Sequence, residues 1–205
     1  CNASSGACVP PAGNRCGDAP SISEPDSADY ENDDLSDQTV TNEVDLQQFD
    51  NAYEIAPGGC LGGQPRTNGN DAVYAVNVPA ARSITVNTTF DNNVQGAIYL
   101  TESCEDLEGS CVEGAQGTGA TSEEGLDYSN LSGSSQTVYL VVDVEAGQRL
   151  GSATVETTYE DIICSPGMKQ CTGGGNVETC GDLGREYNQT DACTTFPCAN
   201  GRCQR

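Results

Sequence analysis

Along the middle of the chain, apolar side chains return at every second position. In Asp71-Ala-Val-Tyr-Ala-Val-Asn-Val78 the larger residues Tyr74, Val76 and Val78 share one face. Ser83 to Phe90 groups Ile84, Val86, Thr88 and Phe90, and Ser152 to Tyr159 groups Ala153, Val155, Thr157 and Tyr159. Gln136 to Asp143 puts Val138, Leu140 and Val142 on one face and Tyr139 and Val141 on the other. Weaker runs lie at Val40–Leu46, Phe49–Ile55, Ala97–Thr101 and Leu126–Leu131. Together these make about eight short strands, separated by Gly, Pro, Asn and Asp clusters. Helical periodicity is missing, and Ala and Leu are scarce in any window long enough for a helix. The pattern predicts an all-β chain, a jelly-roll-like β-sandwich.

Cysteine changes that picture in two ways. The chain has 12 Cys and no His. An even count without C-x-x-C pairs or histidine co-ligands reads as disulfides rather than zinc sites, and places the chain in an oxidising compartment. Cross-links then supplement a thin apolar core. Cysteine density also divides the chain. Residues 1–15 are a short Cys-containing segment, 16–161 hold nearly all the β-type apolar residues, and 162–205 form a small disulfide-rich module. In that module Cys164, Cys171, Cys180, Cys193, Cys198 and Cys203 are expected to pair among themselves, in a connectivity that spacing does not choose. Gly173-Gly-Gly175 reads as a hairpin turn between two short strands. Cys1 and Cys8 enclose NASSGA much as Cys198 and Cys203 enclose ANGR, and a Cys1–Cys8 pair is expected. A head that resembles the tail is what one period of a longer array would show, or a subunit that continues into an identical neighbour. An acylated Cys1 is the rival reading, and it would leave an odd thiol.

Charge narrows the partners. There are 31 Asp+Glu against 8 Lys+Arg, a formal net charge of −23. No basic stripe exists to displace phosphate counterions or to dock on anionic lipid, and no apolar run approaches about 18 residues, so nucleic acid and direct membrane insertion are not expected. Glu24 to Asp37 (EPDSADYENDDLSD) is acidic without a compensating base. It reads as a solvated loop, or as a calcium site built on Asp29, Glu31, Asp33 and Asp34. The match to an EF-hand loop is poor, because counting from Asp29 the sixth position is Asp34 and the twelfth Val40. Asn68 to Asp71 and Asp91 to Asn93 are oxygen-rich turns of the kind that connect strands.

Candidate catalysis is thin. The absence of His removes imidazole mechanisms, and the Ser and Thr hydroxyls have no base to activate them. No pair of carboxylates is marked out for glycoside hydrolysis, and there is no Trp to form a sugar platform. The chain is therefore not expected to be an enzyme. Asn2, Asn87, Asn130 and Asn188 begin N-glycosylation patterns.

Several elements, taken in order, resemble the bacterial pre-peptidase C-terminal (PPC-like) β-sandwich domains. These are Cys16-Gly-Asp-Ala19, Cys60 ahead of Gly69-Asn-Asp-Ala-Val-Tyr74, the Val78-Pro-Ala80 turn into Ile84-Thr-Val86, Ala97-Ile-Tyr-Leu100 running into Cys104, and Tyr139-Leu-Val-Val-Asp143. The resemblance implies a sandwich without catalytic machinery, a Cys16–Cys60 bridge and a local Cys104–Cys111 bridge. Residues from 162 onward are similar to the small Cys-rich repeats that accompany such sandwiches in large bacterial surface proteins. Both resemblances imply an extracellular or cell-surface structural and interaction module, partnered by copies of itself or neighbouring repeats in a surface polymer, fibre or adhesin. The alternative is an accessory domain of a secreted hydrolase that binds carbohydrate, cell wall or cell-surface polysaccharide.

Overall fold

Each strongly alternating run is a strand in the computed structural model, which describes residues 12–13, 15–22, 38–56, 59–62, 67–91, 94–103, 105–106, 109–117, 123–145, 151–172, 175–193 and 198–203. The first part of the chain forms β1 (Ser21–Ile22), β2 (Gln38–Asp45), β3 (Asp71–Val78), β4 (Arg82–Phe90), β5 (Gly96–Thr101), β6 (Cys111–Gln116), β7 (Glu123–Asn130), β8 (Gln136–Val144) and β9 (Ser152–Asp161). These make a five-stranded sheet in the order β1-β3-β8-β5-β6 and a four-stranded sheet in the order β2-β9-β4-β7. Pairing is antiparallel except between β1 and β3.

The inner faces follow from the period of two. Val76, Ile98, Leu100, Leu140 and Val142 of the larger sheet meet Ile84, Val86, Phe90, Val155 and Tyr159 of the smaller one in a single core. Fully burying each such side chain stabilises the fold by about 1.5–3 kcal/mol. Gly96 is required there, because a Cβ at that position would lie 2.3 Å from the Phe90 ring.

The five-stranded sheet is covered on its other face as well. Ile55 and Leu61 pack on Val73, Ala97, Tyr99 and Val141 in a second cluster, which is why β8 is apolar on both sides. The covering segment includes Phe49–Ile55, expected to be a strand, and here the structure corrects the expectation. Residues 49–56 form no ladder. Polar side chains at the start of β3 replace it: Asn70 Nδ2 donates to the carbonyls of Leu46 (3.0 Å) and Phe49 (2.6 Å). The Asp71 carboxylate accepts the N–H groups of Ala52 (2.7 Å) and Tyr53 (2.9 Å). Backbone groups satisfied in this way need no strand partner.

The bridges differ from those implied by the resemblance. Cys60 pairs with Cys111, not with Cys16, and Cys111 is therefore not paired with Cys104. The cause is layer geometry. Cys60 lies on the covering segment directly over edge strand β6, where a Cβ on Gly114 would stand 2.9 Å from Leu61 and 3.4 Å from the Cys60 sulfur. Cys16 is also disulfide-bonded, and its N–H donates to the Tyr53 hydroxyl at 3.0 Å. Cys1, Cys8 and Cys104 lie outside the described residues.

Beyond β9 come β10 (Lys169–Cys171), β11 (Val177–Cys180), β12 (Tyr187–Asp191), β13 (Cys198–Ala199) and β14 (Arg202–Cys203). The first three form an antiparallel sheet in that order and the last two a hairpin. Cys164–Cys180, Cys171–Cys198 and Cys193–Cys203 join them. The buried apolar residues of this module, among the described ones, are Cys164, Val177 and Cys180. Sulfur bridges stand where a larger domain would have a core.

Candidate functional site

The module meets the sandwich through Gly184 and Arg185. The Gly184 carbonyl accepts the N–H groups of Ile163 (2.9 Å) and Cys164 (3.1 Å), just past the end of β9. Gly184 has φ +75°, and a Cβ there would lie 2.6 Å from the Cys164 carbonyl oxygen, so backbone angle and space both demand glycine. Arg185 then lays its guanidinium on the outer face of the four-stranded sheet. Nε donates to Ser83 Oγ at 2.7 Å and Nη1 to Thr85 Oγ1 at 2.8 Å. Nη1 also pairs with Asp127 at 3.2 Å and with Glu160. Strand parity makes this possible. Residues 83 and 85 of β4 share a face with 127 of β7 and 160 of β9. Ser129 Oγ adds a hydrogen bond to the Leu183 carbonyl at 3.1 Å.

Only 18% of the Arg185 side chain is exposed. Replacing it by Ala would strand Asp127 and Glu160 without their cation. Arg185→Ala is therefore expected to lose about 2–3 kcal/mol, read as a lower unfolding midpoint and faster proteolysis between residues 161 and 186. An unchanged midpoint would show that the contact contributes nothing.

Beside Arg185 the two parts enclose a cleft of about 850 Å³. Leu183 supplies its apolar lining, Leu126 at its margin keeps its side chain in the sandwich core, and Glu113, Asp182, Glu186 and Asn188 border it. Asp127 and Glu160 pair with Arg185, which also lines the cleft, whereas Glu113, Asp182 and Glu186 are exposed and form no ion pair among the described residues. An open site of this kind suits a cationic or hydroxyl-bearing group.

A second polar constellation is buried beneath the covering segment. Asp71 and Asp143 stand opposite one another on β3 and β8. The Asp71 N–H goes to the Asp50 carbonyl, so the two form a pair of the type without ladder hydrogen bonds, in which side chains approach most closely. Both residues and Tyr99 are 0% exposed. Asp71 Oδ1, both Asp143 oxygens and the Tyr99 hydroxyl have no hydrogen-bond partner. Burial pushes Asp71 up to about 6 against the pull of its two backbone donors. Burial, and then the Asp71 charge, push Asp143 up to about 10. Burial also raises Tyr99, with Asp143 adding to it. With no exposed surface, these groups cannot meet a substrate from solution.

Of the residues singled out from sequence, Asn130 needs correction as a sugar acceptor. It is 0% exposed. Its amide donates to the carbonyls of Val78 (2.8 Å), Pro79 (3.0 Å) and Ser134 (2.9 Å), clamping two strand connections. Asn87 is half-buried on the outer face of the four-stranded sheet, and Asn188 is exposed at the cleft. Asp29, Glu31, Asp33 and Asp34 lie outside the described residues. Sequence reasoning passed over Arg185 and the Asp71–Asp143 pair. The second had a usable signal, since Asp143 continues the series Tyr139, Val141 on one face of an apolar strand.

No protein-family model matches the chain, and no curated protein matches it. Among solved structures, the pre-peptidase C-terminal domain of collagenase from Bacillus anthracis is similar to it over 61% of this chain and 90% of that one, at 16% identity and a TM-score of 0.32.

Proposed function

We propose that the chain is a non-catalytic extracellular structural and interaction module, a repeat or subunit of a surface polymer, fibre or adhesin. The observation that carries this reading is the Arg185 contact, which binds the disulfide-rich module to the sandwich through two hydroxyls and two carboxylates. Without it, two such parts would be beads on a hinge; with it, they form one stiff unit fit to transmit force along an array. The described residues contain no free cysteine, which supports an oxidising location. High negative charge keeps unassembled subunits apart.

Imaging the native material at subunit resolution, with sedimentation of the purified chain at rising concentration, tests this. Filaments or arrays with a repeat of one chain are expected. Isolated domains in the image and a strictly monomeric chain in solution would overturn the proposal. One observation favours a second reading, an accessory carbohydrate- or cell-wall-binding domain of a secreted hydrolase: the open cleft is bordered by Asn188, Asp182 and Glu186. Amide and carboxylate groups suit pairs of sugar hydroxyls. Saturable retention on a purified wall polysaccharide by a monomeric chain would select it.

A further inference from the structure

The disulfide-rich module carries unpaired charge of opposite sign at two places, while its Arg185 is held in ion pairs with the sandwich. On the β12 side, the module contributes Asp182, Glu186 and Asn188 to the cleft, with Glu113 of β6 across from them. On the opposite edge, β10 begins with Lys169, the chain's one lysine, which is exposed and makes no ion pair among the described residues. The β13–β14 turn packs against it so closely that a Cβ on Gly201 would lie 2.5 Å from the Lys169 carbonyl oxygen. Arg202, also exposed, therefore stands on the same edge, and Met168 beside Lys169 is 46% exposed. In a chain with only 8 Lys+Arg, one face offers Lys169 with Met168 as an apolar flank. The other offers three exposed carboxylates that form no ion pair among the described residues, beside Leu183.

We infer that Lys169 of one copy enters the Glu113–Asp182–Glu186 cleft of a second copy. The methylene stem of a lysine can lie along Leu183 while its ammonium stays at the acidic rim. Pairing like edges would bring like charges together, so the contact joins unlike edges. A contact between unlike surfaces that does not close on itself extends into an open chain. Overall charge of −23 does not forbid this. At physiological ionic strength repulsion is screened beyond roughly 8 Å, whereas a contact pair is not. The contact rests on the proposed assembly role and supplies the surfaces that would carry it.

The test exploits the single lysine. Unlabelled and ¹⁵N-labelled chains are mixed at a concentration where sedimentation shows association, then treated with a zero-length carbodiimide. Every ε-amine cross-link must come from Lys169. Isotopically mixed cross-links from Lys169 to Glu113, Asp182 or Glu186 are expected. Lys169→Glu should weaken association by at least about tenfold and Lys169→Arg by less than about threefold. Adding Asp182→Lys and Glu186→Lys to a second Lys169→Glu chain should restore association between charge-swapped partners. Mixed cross-links confined to other carboxylates, or association insensitive to Lys169→Glu, would overturn this contact and leave the assembly role standing. A wild-type chain that stays monomeric at every concentration would remove both.

Discussion

Raising the pH from 4 to 8 is expected to cost this protein stability, and Asp143→Asn is expected to remove most of that cost. An exposed Asp titrates near about 3.9 in the unfolded chain. In the folded chain burial holds Asp71 up at about 6 and Asp143 at about 10. The other charged groups acting on them, Asp50 and Glu54, are acids and push the same way. The folded state thus keeps protons that the unfolded state releases, and stability falls with pH wherever that holds. The stabilising contribution is complete below about pH 4. Asp71 loses its part by about pH 6, and Asp143 goes on losing at up to about 1.4 kcal/mol per pH unit toward about pH 10. Urea midpoints at pH 4, 6 and 8 measure the effect. Wild type and Asp143→Asn should be similar at pH 4, with the variant the more stable at pH 8. Asp71→Asn should weaken the protein throughout, because it also loses the acceptor for Ala52 and Tyr53. A variant less stable than wild type at pH 8 would mean that Asp143 is ionised and compensated in the native protein.

Where the sequence was legible, the physics was local. Alternation in Ser83–Phe90 and Ser152–Tyr159 reports that one face of each strand is buried, and those strands formed with those faces inward. Edge strand β6 was silent, because Cys111-Val-Glu-Gly-Ala-Gln116 buries no apolar row of its own. It is held by β5 and by a bridge to the covering segment. That segment misled in the opposite sense: Tyr53 and Ile55 repeat at strand spacing, yet their backbone partners are side chains of Asn70 and Asp71 rather than a neighbouring strand. The junction was illegible for a different reason. Arg185 reaches across 102 residues to Ser83 and 100 to Thr85, and nothing in the Gly-rich run around it distinguishes it from a solvated arginine. Sulfur pairing failed likewise. Which Cys meets Cys60 depends on which edge lies under the covering segment, a fact of layer order rather than of spacing.

Deleting the Cys60–Cys111 bridge by paired Cys→Ala substitution is expected to be the costliest change to the sandwich that leaves its core intact. The bridge closes a loop with a sequence separation of 51. Loop-closure entropy alone assigns such a cross-link about 4 kcal/mol, against about 3 kcal/mol for Cys193–Cys203 with its separation of 10. Two further consequences separate this from a uniform loss. Residues 59–62 would be freed from β6, so amide exchange should rise along the covering segment and β6 while β4, β8 and β9 stay protected. The covering segment also seals Tyr99, Asp71 and Asp143 from water. Once it opens, the two carboxyls regain solvent and their folded pKa values fall back toward the ordinary range, so the pH-dependent loss should shrink in the bridge-deleted protein. Denaturation midpoints at pH 4 and pH 8 check this. A bridge-deleted chain that retains the full wild-type pH slope would show that sheet packing keeps the carboxyl pair dry without help from the sulfur link.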